Sequence, residues 1–374
     1  MREIALLFLC FFLCSIQNAL ANSVTLILCG IALGQSSQAC HIHKACLIVY
    51  TVVAFTTKEG QAMSRWQRDL LPYFPPSIAP IIAAIPEQNA EHIEELRFRV
   101  DRPMMALGGE EWFLGNGGVV PLGKARAFTV MEARDMLERL TEKSLYAHES
   151  ELRRGYITLP GGYRVGLAGR AGDDVKSMGP WNAFNVRIAR SCPGSADSVL
   201  PYILHECNCY HTLIISPPQM GKTTMLRDIA RQLGDGVGSQ AWKVCVVDER
   251  SEIAGCYRGV PQRPVGMRTD VLDGCPKAIG MLTAMRALSP QVVVTDEIGR
   301  AEDASAIEEC LHSGVSVITS AHGNTLEELE KRPHLQRLMQ RQVFERFILL
   351  GGRPGRVLAI YNQQRQRLSR ETRV

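Results

Sequence analysis

The chain has 374 residues, a formal net charge of +4, and apolar and charged fractions of 46% and 21%. That length suggests two or three domains with ample core, and the composition is that of an ordinary globular protein, which sets aside a disordered or fibrous chain. The small positive balance gives no reason to expect nucleic acid as a partner.

Residues 1–62 differ from everything after them. Ile4 to Cys14 is an uninterrupted apolar run behind a single Arg2, and Ala19-Leu20-Ala21 is a small-x-small site, so the start mimics a secretory signal. Two further apolar runs, Val24 to Leu33 and Ala45 to Phe55, fall short of the ~20 residues a membrane-spanning helix needs. Export conflicts with the chemistry of the site described below. The segment is therefore expected to be dispensable or not made at all, with Met63 as the start of the protein; a membrane anchor is the competing reading. Of the twelve cysteines, Cys10, Cys14, Cys29, Cys40 and Cys46 lie in this segment. The others (Cys192, Cys207, Cys209, Cys245, Cys256, Cys275 and Cys310) form no C-x-x-C pair, so there is no zinc signal, and they read as reduced thiols in a cytosolic protein.

Residues 63–192 read as an α+β domain. Leu70 to Phe74 and Ile78 to Ile85 are apolar and punctuated by prolines. Arg97-Phe98-Arg99-Val100 alternates like a strand, and the stretch Met104 to Gly118 suggests a hairpin. Phe128 to Leu140 is a helix with Val130, Leu137 and Leu140 at helical spacing, and Tyr146 to Arg154 a second. Tyr156 to Arg170 is a hairpin turned at Gly161-Gly162, and Asn185 to Arg190 another strand. Arg164, Arg170, Arg187 and Arg190 are either solvated strand faces or a surface for a partner subunit. No catalytic constellation stands out here, and Ser191 to Asp197 is a natural linker.

Residues 198–361 alternate strand and helix, which predicts a mostly parallel sheet covered on both faces. Thr212 to Ile215 is a buried strand. Ser216-Pro217-Pro218-Gln219-Met220-Gly221-Lys222-Thr223-Thr224 follows it, and Thr223 to Leu233 is a helix. Met225, Leu226, Ile229 and Leu233 share one helical face; Arg227, Asp228, Arg231 and Gln232 share the other; Gly234 is the stop. Strand, tight loop, Gly-Lys-Thr and helix is the setting of a phosphate-binding loop. Loop amides and the helix N-terminus face the anion, Lys222 brings charge to the outer phosphates, and Thr223 offers a hydroxyl to magnesium. Position 216 is Ser where the general pattern has Gly.

Trp242 to Val247 is a strand that ends in Asp248-Glu249-Arg250, and Lys277 to Leu288 is a helix. Gln291 to Thr295 is a strand that ends in Asp296-Glu297. Buried carboxylates are costly without a cation. Asp296 is read as a metal ligand through water, Glu297 as the group that orients the attacking water, and Glu249 as a further metal contact. Val315 to Ser320 delivers His322, either a sensor of the terminal phosphate or a structural side chain. Arg346 to Leu350 and Val357 to Tyr361 close the sheet, and residues 362–374 are a polar, basic, loose tail. Arg250, Arg263, Arg268, Arg286 and Arg300 are candidates for an arginine acting between subunits.

Several stretches, taken in order, resemble the stage III sporulation protein AA family. They are Ile214 to Asp228, Val247 to Gly255, Thr269 to Gly274, Ser289 to Arg300 and Ser320 to Gly323, with Gly155-Tyr156-Ile157-Thr158 and Gly161 to Gly166 upstream. The resemblance covers about Met63 to Tyr361. It implies a RecA-like P-loop NTPase core related to the motors of type II secretion and type IV pili, preceded by a smaller α+β domain. It also implies ATP and Mg2+ as ligands, an acidic box around Asp248-Glu249, a histidine box at His322, and hexameric rings with ATP between subunits. The expected setting is cytoplasmic and peripheral at a membrane on the mother-cell side, docked on sporulation channel membrane proteins. Two other readings remain open: a DNA-handling ATPase of the same core, and a nucleotide-gated ring with little turnover.

Overall fold

The computed structural model describes residues 63–170, 179–188, 192–206, 208–238 and 240–368. Residues 1–62, Arg190 and Cys207 lie outside them, and with them the readings made there. Met63–Val374 forms one compact unit that contains two seven-stranded sheets.

The first sheet holds β1 (Glu95–Arg99), β2 (Met105–Leu107), β3 (Glu111–Gly115), β4 (Gly118–Val120), β5 (Tyr156–Leu159), β6 (Tyr163–Gly169) and β7 (Trp181–Arg187), in the order β4-β3-β2-β1-β7-β6-β5. Every pairing is antiparallel. Its core is aromatic: Phe74, Phe98, Phe128 and Phe184 follow one another with ring centroids 5.5–5.9 Å apart, within the range in which tilted rings attract beyond their burial. The helix Val130–Leu140 opens on a capping box made by Thr129 and Glu132. It buries Ala133, Met136 and Leu140. Val130, placed at helical spacing with Leu137 and Leu140, is 47% exposed: it is the first residue of the helix, and the buried positions begin at Glu132.

The second sheet holds β10 (Thr212–Ser216), β11 (Val244–Asp248), β12 (Thr269–Asp273), β13 (Val292–Glu297), β14 (Ser316–His322), β15 (Arg346–Leu350) and β16 (Val357–Asn362). A two-stranded pair, β8 (Leu204–His205) and β9 (Asn208–Cys209), precedes it. The order is β12-β11-β13-β14-β10-β15-β16. All pairings are parallel except β15 with β16. Strands β10 and β11 are buried at every position, as a sheet covered on both faces requires. The architecture is α/β, with a RecA-like P-loop core in which one strand, β14, separates β10 from β13. Parallel strands end on the same side, so Ser216, Glu297 and His322 reach one sheet edge together.

Between β13 and β14 the register slips: Val294 faces Ile318, but Glu297 faces Ser320. The extra residue on β13 is a bulge that re-aims the acids at the strand end. Thr319 Oγ1 donates to the Asp296 carbonyl at 2.6 Å and ties the bulge to β14.

The helix behind the phosphate loop runs Lys222–Asp235, past Gly234 to a cap at Gly236. Arg227 and Asp228, on the helical face opposite the apolar one, are buried as well. Arg227 donates to the carbonyls of Ile253 and Glu252 at 2.5 and 2.6 Å. Asp228 accepts from the Ala196 amide at 2.9 Å and pairs with Arg231. The loop after β11 and the linker thus close over the polar face of the helix. The tail is fastened as far as Leu368, whose amide donates to the Ile360 carbonyl, with Arg365 paired to Glu330.

Arg164, read as a strand-face or partner-facing residue, turns inward. It stacks on Tyr156 and donates to the Arg250 carbonyl at 3.2 Å and to Glu252 at 3.0 Å. The neighbouring Gly161 amide donates to Gln262 Oε1 at 2.9 Å. The first sheet therefore holds the loop that follows β11. Among the described residues no helix is long and apolar enough to cross a membrane.

Candidate nucleotide-binding site

Two tight elements build the site. The first is the loop from β10. Gln219 and Gly221 take φ of +62° and +86°, left-handed values that glycine adopts freely and that bend the chain into the helix at Lys222. A Cβ on Gly221 would lie 2.9 Å from the Gly355 nitrogen, so no side chain fits. Gly355, in the β15–β16 turn, donates its amide to the Met220 carbonyl at 3.0 Å. Ser216 is fully buried and its hydroxyl donates to the Pro217 carbonyl at 2.8 Å; in place of glycine it ties the loop to itself. Thr223 and Thr224 lie in the first turn of the helix, and the Thr224 carbonyl accepts from Ser195 Oγ. Pro217 and Pro218 complete the bend.

Lys222 curls back into this loop. Its Nζ donates to the Ser216 and Pro217 carbonyls at 3.1 Å each and to His322 Nδ1 at 2.8 Å, with Ser216 Oγ at 3.3 Å. Burial lowers its pKa, and Glu297 works in the opposite sense. Because Nδ1 accepts from the ammonium, the ring proton belongs on Nε2, which sits 2.8 Å from Glu297 Oε2. Lys222, His322 and Glu297 form one unbroken chain of contacts.

The second element is the row of acids at the ends of β11 and β13. Asp248 is fully buried and accepts from the amides of Glu252, Ile253 and Ala254 at 2.9, 3.0 and 2.8 Å. Burial pushes its carboxyl up to about 6 even though these amides oppose the shift. Asp248 shapes the loop and has no free edge for a ligand. Replacing it with Ala orphans three amides, two of them on buried residues, and should cost on the order of 3 kcal/mol. A lower melting temperature and faster proteolysis between 249 and 263 check this; unchanged stability would refute the role.

Lys277 Nζ lies 2.6 Å from Glu249 Oε2 and 2.9 Å from Asp296 Oδ1. The first contact is an aligned hydrogen bond. The second is an ion pair off that alignment, which leaves the buried Asp296 Oδ1 without a directed partner. Burial opposes the charge on Lys277, but the two acids outweigh it and hold the ammonium above the usual lysine range. Burial also raises Glu249, yet Lys277 brings it below the usual range. Asp296 is deeper and also faces Glu252 and Glu249, so its carboxyl stays above the usual range in spite of the lysine.

The hydroxyl of Thr223 and a buried carboxylate oxygen without a directed hydrogen bond are hard donors that suit magnesium, so these residues fit the ion. Lys222, Glu297 and His322 meet directly. Asp296 and Glu249 meet through Lys277, which residue spacing did not single out. Its signal in the sequence was present: a lysine opens a helix directly after Pro276, at the end where positive charge is unfavourable. Of the candidate arginines, Arg263 lies under the Gly162 turn, 5.5 Å from the Tyr163 ring centre. Arg268 donates to the Gly234 and Asp235 carbonyls. Arg250, Arg286 and Arg300 are exposed.

The family model for sporulation stage III, protein AA, matches residues 77–368. Stage III sporulation protein AA of Bacillus subtilis is 45% identical over 307 residues, 80% of this chain and 96% of that protein. Protein SEEDLING PLASTID DEVELOPMENT 1 of Arabidopsis thaliana is 32% identical over 155 residues, 41% of this chain and 22% of that one. Among solved structures, the Legionella pneumophila ATPase DotB aligns with a TM-score of 0.49 at 16% identity, covering 79% of this chain and 78% of its own. The pilus retraction motor PilT with bound ADP aligns at 0.46 and 12%, covering 70% and 76%. On the extent of the family match and of the Bacillus relative, the chain belongs to the stage III sporulation protein AA family.

Proposed function

We propose that this chain is a magnesium-dependent ATPase that works as a homo-oligomeric ring, hexameric by expectation, and energises a secretion-like membrane channel complex during sporulation. The observation that carries the reading is the contact chain Lys222–His322–Glu297, which joins the phosphate loop to the strand-end acids. Lys222 and the amides of residues 219–223, the first after the two prolines that carry an N–H, take the outer phosphates. Glu297 accepts a proton from, and orients, the attacking water. His322, between them, registers whether Lys222 is engaged. Thr223 and Asp296 would hold magnesium, with Glu249 as a further contact. A bound magnesium ion supplies charge neutralisation at the phosphate oxygens. The membrane side of the reading, a mother-cell protein docked peripherally on channel proteins, rests on family membership.

The test is steady-state phosphate release from ATP, with and without chelator, alongside mass in solution. Magnesium-dependent turnover by a ring-sized particle is the expected result. ATP binding without turnover would favour a nucleotide-gated scaffold, and stimulation by single-stranded DNA a DNA-handling enzyme; either result would displace the motor.

A further inference from the structure

Lys277 breaks two rules of its surroundings. It is 8% exposed, and lysine is seldom buried unless paired. It is also the first residue of an eleven-residue helix, Lys277–Ala287, capped by Pro276 with no acid in the first turn. That end of a helix carries positive partial charge and repels an ammonium. A sequence tolerates such a conflict where something else requires the residue. Here the partners are Glu249, directly after β11, and Asp296, near the end of the neighbouring β13, with the ammonium 2.6 and 2.9 Å from their oxygens. These are the carboxylates assigned above to the cation. Glu252 and Asp248 add negative charge nearby, and Arg250 and Arg300 lie on the outer side of Glu249. The phosphate cradle is treated alike: Lys222 fills it with its own ammonium.

We propose that Lys277 is a built-in stand-in for the divalent cation: in the nucleotide-free protein its ammonium holds Glu249 and Asp296, and it withdraws when the cation arrives with nucleotide. The proposal rests on the reading of Asp296 as cation-facing. Its consequence is ordered loading. Metal alone must expel a paired ammonium and gains only the acids; metal on a nucleotide brings its phosphate ligands with it. The protein therefore has little affinity for free divalent ions.

The test uses Mn2+ as probe, its free concentration read by electron paramagnetic resonance, on nucleotide-free full-length protein. Lys277→Met should bind Mn2+ at least ~10-fold more tightly than wild type, because it leaves buried acids without their cation. Its melting temperature should rise on addition of Mn2+, whereas that of wild type should not. Lys277→Arg, which keeps the charge, should behave as wild type does. Adding Asp296→Asn to Lys277→Met should erase the gain. A purely structural brace would lose stability on substitution with no gain in Mn2+ affinity, and that result overturns the proposal. Should Lys277→Met fail to fold, wild type decides: Mn2+ bound as tightly without nucleotide as with ATP would overturn it. Inactive wild type together with a Mn2+ gain in Lys277→Met would sink the ATPase reading and leave the stand-in intact. Turnover without that gain does the reverse.

Discussion

Lys222→Ala should abolish ATP turnover, with a loss of about 10²–10³-fold or more, the cost of removing one preorganised charge from a transition state. Four acceptors converge on the Lys222 ammonium: two carbonyls, a hydroxyl and an imidazole nitrogen, all within 3.3 Å. This geometry places the charge over the loop, where phosphate oxygens would take the place of those acceptors. Alanine removes the charge and leaves the helix N-terminus, so weak binding through backbone amides should survive while hydrolysis does not. Lys222→Arg should not rescue, because a planar guanidinium cannot satisfy a compact cage built around an ammonium. Phosphate release and binding of a fluorescent ATP analogue, measured side by side, separate the two effects. Wild-type turnover in Lys222→Ala would mean that the phosphate site lies elsewhere.

Glu297→Gln should have the second large effect, with a different signature. The amide keeps the size of the side chain, and its oxygen can still accept the His322 Nε2 proton that now reaches Glu297 at 2.8 Å. The contact chain therefore persists, and nucleotide should bind as in wild type. What is lost is the proton acceptor for water, worth about 10²–10⁴-fold in turnover. The variant should accumulate as an ATP-bound, fully assembled particle, visible as retained ATP after gel filtration. Normal hydrolysis would remove Glu297 from its assigned role.

Much of the candidate site is legible in the residues, because its loop is a local arrangement. Strand β10, the bend and the helix are contiguous, so a short window holds Ser216 to Thr224 whole. Asp296-Glu297 is equally local, an acid pair at the end of an apolar run. Topology was inferable as a class, since alternating strands and helices leave few ways to cover a parallel sheet. What remained hidden is tertiary. Helical periodicity places Arg227 and Asp228 on a polar face, and they are on it; periodicity has no means of showing that the 249–263 loop and the linker fold over that face. The same limit concealed Lys277, whose partners sit 28 residues before it in the chain and 19 after it. Arg164 looked like a solvated strand residue because the carbonyl and carboxylate it meets belong to the other sheet's loop. The register slip at 294–297, which shifts the strand end that carries the two acids, is likewise invisible in composition.

The seam between Gly221 and Gly355 has a consequence for how this fold tolerates change. The bend that would grip the triphosphate and the tip of the last hairpin are packed glycine against glycine: Gly221 has no room for a side chain, and Gly355 is held to glycine by its left-handed φ of +78°. An insertion at the hairpin tip, far along the chain and on a surface where extra residues are usually harmless, would be felt as weakened nucleotide affinity. Loop grafting and peptide tagging should spare the turn at 351–355 and use the exposed turn at Gly314 instead.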